Sequence, residues 1–335
     1  MRFWHAFVIS RGLVGLGLAS PLVAFATPPC PGVTPALAAH ARPLHDPRVQ
    51  SCDHLSAEEA ASCRRGKAHF SSRVLSADGQ VSCASCHVPV SGFRDGLARP
   101  RARGVLIKAP RTPSLIDVAR TKGPFFWNGR ATSLKGQIFW PLYATQELGA
   151  TEALLARFGG AQAVASDLAV FLQTLSTGPA PFDAYVAGHC GALAPAERRG
   201  LELVLQTKKC TQCHKGTEFR GEKAEPMNYV NIPDFAFLGQ ESSYSADAQL
   251  AEGQTFAEVG TAGYVTLGSV PQTLRNLHLR GPPWGRYGSK ASLEDFLVSH
   301  GSQPQQSELR AFWSRGEIAD VLAFLFVGLR SEEKE

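Results

Sequence analysis

The sequence predicts a mainly α protein in two similar halves with long irregular loops, and three observations carry that reading. The pattern C-x-x-C-H occurs twice, as Cys83-Ala84-Ser85-Cys86-His87 and as Cys210-Thr211-Gln212-Cys213-His214. Apolar residues recur at helical spacing in several segments. The 32 Gly and 22 Pro among 335 residues indicate a loop-rich build. A chain of this length accommodates two domains, each burying its own core.

The elements follow in order. Residues 1–26 read as an export signal: Arg2 and Arg11 are basic, Gly12 to Ala19 is apolar, and Ala24-Phe25-Ala26 is a small-residue cleavage site. The apolar stretch falls short of the roughly 20 residues that span a bilayer, so the mature chain is not expected to be integral to a membrane; an uncleaved anchor is the alternative. Residues 27–48, rich in Pro, Ala and His without helical period, form an extended N-terminal arm. A first domain, 49–187, holds the first motif and closes with a helix near Ala163–Leu175. The turn-like stretches Ser176–Pro181 and Gly188–Pro195 mark the connection to a second domain, 188–335.

In that domain Leu201, Val204 and Leu205 place a helix over Ala196–Thr207, delivering the chain to Cys210. Gly216–Gly268 shows no sustained period. Ser292 caps a helix carrying Leu293, Phe296 and Leu297, and a last helix carries Ile318, Val321, Leu322, Leu325, Phe326 and Leu329. The only internal repeat legible is the pentapeptide itself.

In C-x-x-C-H the two thiols add to haem vinyl groups, and the adjacent histidine is left one turn along, facing the iron. Two copies in an exported chain outweigh a redox dithiol or half a zinc site. Two covalently bound haems c in cytochrome c-like domains follow, with His87 and His214 as proximal ligands. Four cysteines remain. In an oxidising compartment they allow two disulfides, of which Cys52–Cys63 is the local choice, leaving Cys30–Cys190. The formal charge of +5 includes Arg2 and Arg11, and haem propionates offset the rest. With no basic run interleaved with aromatics, no nucleic-acid partner is expected.

What each iron does depends on its sixth position. Methionine is nearly excluded, since only Met1 and Met227 exist. His300 shares a helical face with Leu293, Phe296 and Leu297 and is the first candidate for the second haem; His278 and Tyr287 are the others. Between His87 and His189 there is neither histidine nor methionine, so the first iron is expected to be open.

These residues resemble the bacterial di-haem cytochrome c peroxidase and MauG superfamily over roughly Gly66 to Leu329. Leu75-Ser76-Ala77-Asp78-Gly79, Arg111-Thr112-Pro113-Ser114-Leu115 and Phe125-Phe126-Trp127-Asn128-Gly129-Arg130-Ala131 carry the likeness in the first half, and Thr273-Leu274-Arg275-Asn276 with Ser292-Leu293-Glu294 in the second. The resemblance implies that Trp127 relays electrons between the haems. It implies, too, that Gln137, Pro141 and Glu147 line the distal pocket of the first haem, Glu147 as acid and base, and it places His300 at the distal ligand of the second.

Classical members also carry a loop histidine that leaves the iron before turnover. Gly92–Pro110 contains none, so reductive activation is unnecessary, as in the MauG-like branch. An inter-domain calcium is the remaining implication. Its asparagine ligand is matched by Arg111 and its carbonyls by Arg280 and Pro282, and a fixed guanidinium there would substitute for the cation. The function implied is a periplasmic peroxide-dependent oxidoreductase fed by a small cytochrome c or cupredoxin. The alternative is oxidative modification of an aromatic residue in a partner protein, as by MauG or MbnH, although Lys208 and Lys209 stand where MauG has a tryptophan for that traffic. A plain electron carrier has no use for an open iron under Glu147.

Overall fold

The computed structural model describes residues 29–44, 51–102, 105–106, 110–222, 225–226, 268–300 and 313–331. The expected signal segment, Met227 and most of Gly216–Gly268 lie outside them. Helix dominates. The strands among the described residues are two-residue antiparallel pairs, Arg101–Ala102 with Val105–Leu106 and Glu225–Pro226 with Gly268–Ser269.

The first half is built on four helices. Ser56 and Glu59 form a reciprocal cap that starts α1, Ala57–Ser71. Ser133 caps α2, Leu134–Tyr143, which contains Pro141; α3, Glu152–Ala156, and α4, Ala161–Gln173, follow. Val164, Ala165, Leu168, Phe171 and Leu172 line the buried face of α4, which crosses α1 at Gly66. A Cβ on Gly66 would stand 2.0 Å from the Asp167 carbonyl oxygen, so the helices touch backbone to backbone there. Arg65 grips the Asp167 carboxylate with two hydrogen bonds of 2.8 Å beside that crossing.

The second half repeats this scheme. It contains α5, Pro181–Val186, and α6, Pro195–Glu202, which runs into a wide π-helical turn, Leu203–Thr207. Later come α7, Leu293–Ser299, capped by Ser292, and α8, Arg315–Ala323, capped by Ser314 and extended by a π turn, Phe324–Gly328. Gly200 on α6 would place a Cβ 2.0 Å from the Asp320 carbonyl oxygen of α8, and Arg199 grips Asp320 as Arg65 grips Asp167.

The repeat therefore reaches well beyond the pentapeptide. Asp117 and Asn276 share the left-handed conformation at φ 61° and 56°, the Gly123–Pro124 and Pro282–Pro283 bonds are both cis, and the bridges Phe125–Ala131 and Trp284–Lys290 match. What repeats is backbone geometry and close approach. The paired glycines and arginine–aspartate grips repeat with it, but they lie far apart in the sequence and form no local pattern there.

One apolar core runs from Cys63 to Leu172, and a second gathers Phe182 and Tyr185 with Leu193 through Leu329. The change of core falls between Leu175 and Phe182, so Pro181–Val186, expected in the first domain, packs with the second half. Both expected disulfides form, Cys52–Cys63 and Cys30–Cys190. The second ties the N-terminal arm to the second half, where Leu37 enters the core. The arm then reaches a buried ionic junction between the halves. Arg42 pairs with Asp117 at 3.1 Å and with Glu218, Arg120 with Asp117 at 3.0 Å, and Arg275 with Asp183 at 2.7 Å. Removing one member of such a buried pair costs about 3–5 kcal/mol, because the other charge is stranded.

Candidate active site

In the first half, Cys83–Cys86 form one helical turn opened by Ser82, whose N–H donates to Ser85 Oγ at 3.0 Å. His87 ends the turn, its N–H donating to the Cys83 carbonyl at 2.8 Å. Its Nδ1 lies 3.1 Å from the Phe93 carbonyl. A carbonyl only accepts, so Nδ1 carries the proton and Nε2 is left as the ligating nitrogen. The second half does the same: the His214 N–H donates to the Cys210 carbonyl at 2.9 Å, and Nδ1 to the Phe219 carbonyl at 3.2 Å.

His300 lies across from His214, with ring centroids 6.0 Å apart. A metal–imidazole bond is about 2 Å long, so two trans imidazoles on one iron have centroids about 6 Å apart once the ring radii are added. The pair thus fits a haem iron between them. Burial and the neighbouring His300 push His214 down to about 4, so its ring is neutral at neutral pH, as ligation requires.

The expected route to this placement needs correction. His300 is not on the apolar face of a helix: α7 ends at Ser299, and His300 is extended at φ −90°, ψ 139°, with its ring stacked 4.6 Å from Phe296. Of the other candidates, His278 sits on the turn Leu277–Arg280, and Tyr287 packs against Arg286 at 5.3 Å.

The internal repeat sets different residues at matching distances from the two helix caps. Ser133 and Ser292 cap corresponding helices, and eight residues beyond each cap stand Pro141 and His300 respectively. Gln137 projects from α2 with its Oε1 buried and without a hydrogen-bond partner among the described residues. Glu147 is half-buried in the loop after α2. Burial raises its pKa and the Arg130 charge partly lowers it. As free thiols Cys83 and Cys86 are pushed up to about 12, by burial first and by the Glu147 charge second, which puts that carboxylate beside the attachment turn. The Arg130 guanidinium lies 3.5 Å from the Phe126 ring and 5.0 Å from that of Trp140.

Trp127 stands at the junction of the halves. Its Nε1 donates to the Arg111 carbonyl at 2.9 Å, and its own carbonyl accepts the Val270 N–H at 2.8 Å. A calcium ion does not fit nearby. Arg111 Nη1 donates to the Pro283 carbonyl and, at 3.5 Å, to that of Gly281, while Arg94 Nη1 donates to the Pro282 carbonyl at 3.1 Å. Guanidinium groups thus occupy the carbonyl lone pairs a cation would need, and the acceptors of Arg111 are Gly281 and Pro283 in place of the expected Arg280 and Pro282. Among the described residues no group of three or more His, Cys, Asp or Glu could hold a metal ion. Arg94 and Arg220 were not singled out in the sequence, and Arg130 entered only as a member of the Phe125–Ala131 motif, without a role of its own. Arg94 and Arg220 each follow the phenylalanine that anchors a proximal histidine, a signal visible only once Phe93 and Phe219 are matched.

A family profile described as di-haem cytochrome c peroxidase matches residues 60–160. The methylamine utilization protein MauG of Methylorubrum extorquens is 31% identical over 285 residues, covering 78% of this chain and 76% of its own. The chain belongs to the di-haem cytochrome c peroxidase and MauG family. Cytochrome c551 peroxidase of Pseudomonas aeruginosa is 27% identical, covering 92% of this chain and 90% of its own. Among solved structures, a MauG-like protein associated with microbial copper homeostasis superposes with a TM-score of 0.61 at 21% identity, over 87% of this chain and 95% of that one. That likeness establishes a shared fold. Family membership makes the protein a peroxidase-like di-haem oxidoreductase with haem c as its cofactor.

Proposed function

We propose that the protein is an exported enzyme whose first half reacts with hydrogen peroxide and whose second half stores oxidising equivalents. The observation that carries this reading is that, eight residues beyond matching serine caps, the first half has Pro141 within α2 and the second has His300 just past the end of α7. Thioether bonds form through Cys83, Cys86, Cys210 and Cys213; His87 binds one iron, and His214 with His300 the other. Bound there, haem supplies iron centres that reduce peroxide and hold oxidising equivalents.

The chain's own residues do the rest. Pro141 has no N–H and offers the distal side of the first site neither a ligand nor an extra donor. Gln137, with its unpartnered Oε1, orients water or peroxide through its amide. Glu147 accepts the proton from one peroxide oxygen and delivers it to the other, which leaves as water. The Arg130 charge offsets part of the rise that burial imposes on Glu147. Trp127, fixed to both halves, relays electrons between them. Two disulfides suit an oxidising compartment, and among the described residues no helix is long and apolar enough to cross a membrane; the periplasm fits both.

Electrons come from a small cytochrome c or cupredoxin. A second reading, in which an aromatic side chain of a partner protein supplies them and is modified, is favoured by the lack of any histidine or methionine between His87 and His189. The test mixes holoprotein and peroxide with a reduced small cytochrome in one arm and candidate exported proteins in the other. Rapid cytochrome oxidation establishes the first reading, and a gain of oxygen mass on a partner establishes the second. No peroxide consumption in either arm refutes both and leaves an electron carrier.

A further inference from the structure

Four arginines at the junction, Arg94, Arg111, Arg220 and Arg280, form no ion pair with a carboxylate among the described residues, although the charge of Asp95 reaches Arg94 and Arg111 and those of Asp117 and Glu218 reach Arg280. Arg94 and Arg220 occupy matching positions, each directly after the phenylalanine whose carbonyl anchors a proximal histidine. Each crosses to the other half, Arg94 to the Pro282 carbonyl and Arg220 to that of Pro124. Arg111 donates to Gly281 and Pro283, and Arg280 to the carbonyls of Arg275 and Ile116 at 3.3 and 3.2 Å. Among the described residues, the acceptors of these four guanidinium groups are backbone carbonyls. The nearby acids are committed elsewhere: Asp117 and Glu218 to Arg42, Asp183 to Arg275, and Asp95 to the Thr112 hydroxyl and the Leu97 N–H.

Taking charge out of water without a counter-charge is unfavourable, and the cluster bears the marks of it. Burial, joined by repulsion from Arg94 and Arg280 and only partly opposed by Asp95, brings Arg111 down to about 10; burial and Arg280 do the same to Arg220, and burial does so to Arg280 against the opposing charges of Asp117 and Glu218. The Nε atoms of Arg94 and Arg111 are buried without a hydrogen-bond partner. Orphaned donors on cations that have no ion-pair partner call for an anionic acceptor. The propionates leave the haem edge opposite the vinyl groups that the cysteines take. Attachment at Cys83 and Cys86, and at Cys210 and Cys213, therefore turns them away from the motif turns.

We propose that Arg94, Arg111, Arg220 and Arg280 form a shared receptor for the propionate carboxylates of both haems, gathering them at the junction beside Trp127. The same guanidinium groups replace the divalent cation that this place does not accommodate. The inference rests on haem binding at both motifs. Haem content per chain is therefore measured first, and a value below two refutes that parent reading independently of the receptor.

The test is a spectroelectrochemical titration of the holoprotein, wild type against Arg220→Met, Arg94→Met and the two Arg→Lys variants. Methionine keeps the bulk and removes the charge, and losing a cation beside a propionate stabilises the oxidised haem. The methionine variants should show lowered potentials and shifted propionate bending bands in resonance Raman spectra, and the lysine variants should stay near wild type. Potentials and bands unchanged by methionine, with only the unfolding midpoint altered, overturn the proposal. So does a wild-type potential that moves when phosphate replaces chloride, because an external anion then fills the cluster. Should a methionine variant fail to fold, Arg94→Gln at a half-buried position provides the same comparison.

Discussion

Replacing Glu147 with Gln removes a proton carrier and leaves the loop after α2 intact. That loop is held by backbone: the Glu147 N–H donates to the Ala144 carbonyl at 2.8 Å, Leu148 to that of Pro141 at 3.1 Å and Gly149 to that of Ala144 at 2.9 Å. The loss is therefore chemical. A positioned acid–base group contributes about 10²–10⁴-fold to rate, or about 2.7–5.5 kcal/mol of barrier. The pH dependence has a definite sign. Burial raises Glu147 above its ordinary 4.5, and Arg130 offsets part of that. Only the carboxylate accepts a proton, so the wild-type rate falls as pH drops through a midpoint above 4.5. The Gln variant should lose that limb and run about 10²–10⁴-fold slower throughout; Arg130→Met should move the limb to higher pH. Stopped-flow mixing of holoprotein with peroxide across about pH 4–8 reads both. A Gln variant within about threefold of wild type, or one that keeps the acid limb, refutes the role of Glu147.

Three further predictions follow from the internal repeat and the junction. Pro141→His should place an imidazole where the second half has His300, converting the high-spin part of the resting ferric spectrum to low-spin and suppressing the peroxide reaction; an unchanged spectrum breaks the correspondence. Gly200→Ala and Gly66→Ala should each destabilise by about 1–3 kcal/mol or more in denaturant titrations. Gly316→Ala, where a Cβ meets nothing within 4 Å, should not, and equal effects at all three positions would sink the helix-crossing explanation. Arg42→Met should cost about 3–5 kcal/mol. Because buried Asp117 is held below its ordinary pKa by Arg42, its contribution is present above the unfolded carboxylate value and is lost on acidification; an Arg42→Met protein whose acid unfolding matches wild type would contradict this.

Much of the fold was legible because its signals are local. The apolar spacing of Val164, Leu168 and Phe171 writes α4, Ser292 announces α7 with its cap, and Ile318 and Val321 write α8. The haem turns were legible because the chemistry fixes their spacing. Hidden features depend on contacts distant in sequence. Gly66 and Gly200 matter only because Asp167 and Asp320 lie against them, and the Phe93 and Phe219 carbonyls act through backbone atoms that carry no residue signature. His300 was identified for a reason the structure replaces, since helix periodicity continued past Ser299 while the backbone turned extended. Arg111 was expected near proline-loop carbonyls, but its acceptors, and the part played by Arg94, required the cis-proline turns to be in place.

The central claim is that two matching haem sites are made unequal by one position, proline in the first half and histidine in the second. The most direct test is the electron paramagnetic resonance spectrum of the resting ferric holoprotein beside that of its His300→Ala variant. The account predicts one high-spin and one bis-imidazole low-spin haem in the wild type, with loss of the low-spin signal in the variant. Two low-spin haems in the wild type, or a low-spin signal untouched by removing His300, would contradict it.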